Sequence, residues 1–172
     1  TLDLQSAIEP MAASLEGYAP GSGAGYRRFM AISERLHEVS ERFFFWRPVE
    51  GLRDTLDLRA NLKAQTLSDV LSLRMGKTVA GTIRGQVPDG RVAQMLDHFT
   101  QYVGSSPYGS PAVLCAIAHM QVAEGVWYPM GGTRAVVTAL HRLAVEQGCV
   151  FREGEAVEGL GMSGNVVRSV RT

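Results

Sequence analysis

Residues 99–132 read FTQYVGSSPYGSPAVLCAIAHMQVAEGVWYPMGG, and no other stretch restricts the backbone so closely. Pro107, Gly109 and Pro111 interrupt the chain around Tyr108. Ser110 is then placed to cap a helix opening with Pro111, because proline fits the first helical position and serine accepts a freed N–H. The run from Ala112 to His119 is apolar on almost every side (Val113, Leu114, Cys115, Ile117), which predicts a buried helix. Residues 125–128 read as a short strand stopped by Pro129, and Gly131-Gly132 permits a close turn into the next helix. Strand, glycine turn and helix in succession present free N–H groups and commonly border a ligand.

Before this stretch the periodicity is helical. Leu2 and Leu4 suggest a short strand; Ser6 is positioned to cap a helix over 7–17, with Ile8, Met11 and Leu15 on one face. The segment 18–23 reads as a loop. A long helix follows over 25–47, with Tyr26, Phe29, Met30, Ile32, Leu36, Val39 and Phe43 in a stripe. It ends in Phe43-Phe44-Phe45-Trp46, which cannot all face one way. Both a plug in a large core and an apolar surface for a hydrophobic ligand or membrane stay open. Residues 48–66 are polar and broken. Helices interrupted at Gly76 and Gly81 are expected over 67–83, the most basic region (Arg74, Lys77, Arg84), which reads either as a solvated face or as attractive to anionic headgroups. Another helix runs from Pro88 or Asp89 to Tyr102, burying Val92, Met95, Leu96, Phe99 and Tyr102.

After the central stretch, Thr133 is expected to cap an amphipathic helix with Val136, Val137, Leu140, Leu143 and Ala144 inward, closed by Gly148 as a left-handed cap. A short strand over 149–152 and a hairpin pairing 156–160 with 166–170 across 162–165 complete the chain. The fold class is therefore α+β: a mainly helical domain over 1–124, then strand, helix, strand and hairpin over 125–172.

With 172 residues, 45% hydrophobic and 20% charged, the chain can bury one real core. Zero formal net charge and only two lysines, Lys63 and Lys77, argue against nucleic-acid binding. Cys115 and Cys149 with four scattered histidines offer no metal-ligand spacing and no disulfide framework, so no metal site is expected. No run approaches the ~20 apolar residues of a bilayer span, and a cytoplasmic setting is expected. The opening Thr1-Leu2-Asp3-Leu4, with no initiating Met, suggests an excised segment of a longer protein.

YVGSSPYGSPAVL (102–114) followed by GVWYPMGG (125–132) resembles the bacterial phytoene desaturase family, FAD-dependent flavoproteins that desaturate carotenoid precursors. In that family a YVGxSPxxxPA segment precedes a GxWYPxGG segment at about this spacing. The resemblance implies that residues 1–124 are the helical substrate-binding domain. Residues 125–172 would then be a stub of the FAD-binding domain, completed by missing segments of the same chain. It implies a long apolar substrate such as a carotenoid precursor, walled by Tyr102, Tyr108, Trp127, Tyr128 and Met130, with His119 at the end of the buried helix. The cofactor would be FAD, with Val157 meeting its adenine ring through the backbone. Gln121-Val122 stand where many members carry Glu-Tyr, which leaves phytoene itself open as substrate. Peripheral membrane contact, and dimerisation of an isolated chain through surface meant for its flavin domain, are further expectations.

No catalytic residue is assembled by the sequence. The histidines His37, His98, His119 and His141 form no dyad by spacing. Gly21-Ser22-Gly23-Ala24-Gly25 lacks the third-glycine spacing of the dinucleotide fingerprint and follows a helix, so it reads as a loop, with the true fingerprint expected ahead of Thr1. The isolated chain is accordingly expected to be inactive. Two alternatives stay open: a flavin amine-oxidase-like enzyme with a polar substrate, and a non-catalytic helical module docking a partner through 43–46.

Overall fold

The computed structural model describes residues 2–42 and 73–172. The aromatic cluster 43–46, the end of the long helix and the 48–66 segment lie outside the described residues. The chain divides into two units, Thr1–Val126 and Trp127–Thr172.

The first unit is helical. Helix α1 spans Ile8–Tyr18, with Ala7 at its N-cap in extended conformation and no side-chain cap. Ser6 stands one position too early to serve as the expected cap. Pro10, third in the helix, costs no backbone bond there. The expected strand at Leu2 and Leu4 is absent, since the segment finds no pairing partner among the described residues.

Helix α2 spans Ser22–Ser40 and begins three residues before the expected start, so the 18–23 loop shrinks to a turn. The cause is Glu16 in α1, whose carboxylate accepts the N–H of Gly21 at 2.8 Å and of Gly23 at 2.9 Å. A cap delivered from the preceding helix leaves no local signature. Gly21 itself is left-handed (φ 83°). The glycines allow close approach: a Cβ on Gly23 would meet the Ala12 carbonyl oxygen, and one on Gly25 the Gln86 carbonyl oxygen.

Helix α3 (Val79–Arg84) is capped by Thr78, whose Oγ1 accepts the Gly81 N–H at 3.1 Å. Gly81 thus lies inside the helix and does not interrupt it; Gly76 (φ 80°) does turn the chain. Helix α4 (Gly90–Leu96) is capped by Asp89, which accepts the N–H groups of Arg91 and Val92. The expected continuation to Tyr102 tightens into a 3₁₀ segment, Asp97–Val103, ended by left-handed Gly104. Val92, Leu96 and Phe99 are buried as expected, but Tyr102 is exposed and Met95 half-buried. Leu15, Phe29, Leu36, Ile83, Val92 and Leu96 form the centre of the core, which lies within this first unit. Burial of a side chain such as Phe29 contributes about 1.5–3 kcal/mol.

The helix expected from Pro111 is a composite. A 3₁₀ turn (Ala112–Cys115) leads into one α turn, α5 (Ala116–His119), and then a π turn (Met120–Glu124). Ser110 does not cap it. Its hydroxyl donates to the Ser106 carbonyl at 2.7 Å and lies 2.6 Å from Ser105 Oγ. Pro111 itself stands outside, extended at ψ 146°.

The second unit holds helix α6 (Arg134–Glu146) and a hairpin of β1 (Gly159–Ser163) with β2 (Val166–Arg171). Thr133 precedes α6 without a side-chain cap bond, its own backbone already helical at ψ −27°. The helix ends as expected at left-handed Gly148: Gly148 donates to the Val145 carbonyl and Cys149 to that of Ala144, the paired bonds of a Schellman motif. The strands are antiparallel, with Ser163 opposite Val166 and a bulge between Gly161 and Met162. A two-residue loop, Gly164-Asn165, replaces the expected four-residue one, drawing Met162 and Ser163 into β1. The strands expected at 125–128 and 149–152 are extended segments that pair with no neighbour among the described residues. The face of α6 expected inward is exposed at Val136, Val137, Leu140 and Leu143, because nothing within this unit covers it. Helical body and small antiparallel sheet together make an α+β chain.

Candidate functional site

The first motif segment lies in the first unit, and the second straddles the boundary, with Trp127 onward in the second unit. In the first, Tyr102 lies in the last turn of the 3₁₀ segment, 64% exposed, its hydroxyl donating to Gln121 Oε1 at 3.0 Å. Tyr108, 65% exposed, carries the Arg84 guanidinium over its ring at 4.9 Å from the centroid. Arg84 in turn makes a forked pair with Asp97, at 3.0 and 2.7 Å. This pair, chiefly through its hydrogen bonds, raises the arginine above its ordinary value. Tyr108, Arg84 and Asp97 with Gln94, His98 and Gln101 border an open groove of about 700 Å³. That groove is polar in character, unlike the greasy wall expected at Tyr108.

In the second unit, Trp127 (86% exposed) and Tyr128 stand in open backbone, and Met130 (90%) lies within the turn closed by Gly132 N–H to the Pro129 carbonyl at 2.9 Å. Gly131 and Gly132 both adopt positive φ, 89° and 86°, as the expected close turn requires. Val157 is exposed in an extended segment just before β1.

His119 belongs to a cluster that sequence spacing does not show. Ser33 on α2 donates to the Cys115 carbonyl at 2.6 Å and accepts the His119 N–H at 2.7 Å. The Ser33 hydroxyl thus bridges the carbonyl and the N–H at the two ends of the single α turn α5, where 3₁₀, α and π turns succeed one another. One turn along α2, buried His37 places Nε2 at 3.2 Å from Glu124 Oε1, and its ring lies 5.2 Å from that of His119, tilted by 38°. Helix α2 and the α5–π segment thus share a polar seam in an apolar core. The two sides are more than eighty residues apart in the chain, which is why spacing reveals nothing of it. Cys115, in the same seam, has its thiol pushed up to about 12 by burial, so it stays protonated and is no nucleophile at neutral pH. Among the described residues no group of three His, Cys, Asp or Glu could hold a metal ion.

The glycine-rich 21–25 segment does not fit a flavin pyrophosphate. The Gly21 and Gly23 N–H groups already serve the Glu16 carboxylate, and Gly23 and Gly25 press on protein backbone. Among the described residues no helix is long and apolar enough to cross a membrane.

No family model matches the chain. It is 33% identical over 161 residues to the zeta-carotene-forming phytoene desaturase of Myxococcus xanthus, covering 94% of this chain and 30% of that protein. It is 30% identical over 151 residues to the 4,4'-diapolycopene oxygenase of a Methylomonas species, covering 88% and 29%. To the carotenoid 3,4-desaturase of Haloarcula japonica it is 29% identical over 162 residues, covering 91% and 31%. The chain therefore spans about a third or less of the length of the curated relatives it matches. Along that span, in both motif segments and the residues between, it belongs to the phytoene desaturase-related family of carotenoid desaturases and oxygenases.

Proposed function

We propose that the full-length protein is an FAD-dependent oxidoreductase of the cytoplasm acting on an apolar isoprenoid such as a carotenoid precursor. In this reading residues 1–124 are its substrate-binding portion, and 125–172 belong to a flavin-binding domain completed by other segments of the same chain. The observation that carries the reading is the run Trp127, Tyr128 and Met130, three large and weakly polar side chains exposed in close succession. A long polyene offers little to hydrogen bonds and is held by such walls. The carotenoid names of the relatives support the same substrate class. Exposure of α6 and of both strands supports a unit built to be covered by further chain.

The test is tryptophan emission in a Trp46→Phe background, so that Trp127 alone reports. A detergent-dispersed C40 polyene is expected to quench it saturably, while alkylamines leave it unchanged. Absence of quenching by the polyene, with protection by an amine, would replace this reading with the flavin amine-oxidase-like one. The polar groove around Arg84, Asp97 and Tyr108 is the observation that favours that second reading.

A further inference from the structure

We propose that the groove of about 700 Å³ between α4 with its 3₁₀ continuation and the 105–108 loop binds a neutral, polyhydroxylated ligand, a saccharide of one or two rings. The site lies wholly within the first unit and shares no residue with the Trp127–Met130 run, so it stands apart from the polyene reading. One wall is a stripe at helical spacing, Gln94, His98 and Gln101, alternating with buried Val92, Leu96 and Phe99. By helical rise the two glutamines stand about 12 Å apart, room for two sugar rings. Gly90, one turn before Gln94, adds no side chain and leaves that end open. Among the described residues neither side-chain carboxamide has a hydrogen-bond partner. His98 Nδ1 lies 2.8 Å from the Met95 carbonyl, so Nδ1 carries the proton and Nε2 keeps a lone pair to offer.

Charge in the groove selects a neutral ligand. Arg84 and Asp97 are forked together at 3.0 and 2.7 Å and cancel. Asp89, next to the open end, is likewise held by Arg91 at 3.0 Å. The unused groups are two flat carboxamides, each able to donate and to accept, and one imidazole acceptor. A sugar ring answers them in kind, because its neighbouring hydroxyls also donate and accept. An apolar ligand would strip water from both carboxamides and return no bond. Tyr108 supplies the remaining element. Its exposed ring has the Arg84 guanidinium over one face at 4.9 Å, and the other face can take the C–H side of a sugar.

The test is NMR titration of the nitrogen-15-labelled chain with maltose, and with octyl β-maltoside below its micelle concentration, read at the side-chain amides of Gln94 and Gln101. Saturable shifts of both signals are expected, at roughly millimolar affinity. Equal affinity for the two probes supports a free saccharide in the site, and tighter binding of the octyl form supports a sugar on an apolar carrier. Gln94→Ala and Gln101→Ala, both at exposed positions, should each weaken binding about 3- to 10-fold. Tyr108→Ala should weaken it by a similar factor, whereas Tyr108→Phe, which keeps the ring, should not. Gln147→Ala, exposed in the second unit, should leave it unchanged. Absence of shifts at both glutamines with either probe, unchanged affinity in Gln94→Ala/Gln101→Ala, or the same shifts with ethanolamine would overturn the proposal. The titration uses neither polyene nor Trp127 emission, so its outcome and that of the polyene test are independent.

Discussion

Replacing Ser33 by Ala removes the hydroxyl that joins α2 to the α5–π segment. Two short bonds are lost in a fully buried place, to the Cys115 carbonyl at 2.6 Å and from the His119 N–H at 2.7 Å. At about 0.5–1.5 kcal/mol net for each buried bond, the expected loss is about 2 kcal/mol. The Cys115 carbonyl and the His119 N–H keep each other as partners across the α5 turn, so the loss comes from the fastening to α2 and not from unpaired backbone groups. For a chain of this size about 2 kcal/mol corresponds to a Tm lower by roughly 4–8 °C. Urea unfolding followed by far-UV circular dichroism measures it, with Ser14→Ala as control. Ser14 donates to the Asp3 carbonyl on the exposed surface, and its loss should stay within about 0.5 kcal/mol. A Ser33→Ala chain as stable as the Ser14 control would refute the inserted hydroxyl as the fastening between these elements.

Gly23→Ala and Gly25→Ala would each force a methyl against backbone, at Ala12 and Gln86 respectively, and should cost about 1–3 kcal/mol in the same urea assay. Glu16 is held below its ordinary 4.5, first by the Gly21 N–H and then by that of Gly23. A carboxylate depressed in the folded state stabilises above its unfolded value and loses that contribution as pH falls through the folded one. Urea midpoints should therefore decline below pH 4.5, and less steeply in Glu16→Gln. Flavin fluorescence anisotropy should show no submicromolar FAD binding by this chain, and tight binding would contradict the division of the flavin site between this segment and others.

Helix positions were legible wherever apolar spacing was regular, as with Met11 and Leu15 in α1 or Phe29 and Leu36 in α2. Glycine at a helix end was equally plain at Gly148, where the residue type alone dictates the left-handed cap. Boundaries failed where the deciding group came from elsewhere. Glu16 moved the start of α2, and the segment after Pro111 runs through three kinds of turn where Ser33, from a distant helix, bonds its backbone. The strands expected at 125–128 and 149–152 have strand composition, but a ladder needs a neighbour, and composition does not supply one. At the candidate site the aromatic run and its glycine turn could be read directly. The His37–Glu124 contact and the polar character of the Tyr108 groove could not, since both bring together residues distant in sequence.

The most direct measurement is photolabelling of the chain with a C40 polyene bearing a photoreactive group, followed by peptide mapping. Labels are expected to concentrate on residues 127–130, with the 102–108 segment next, and to be displaced by unlabelled polyene. Labels spread evenly over the exposed face of α6, without displacement, would contradict a polyene wall at Trp127, Tyr128 and Met130.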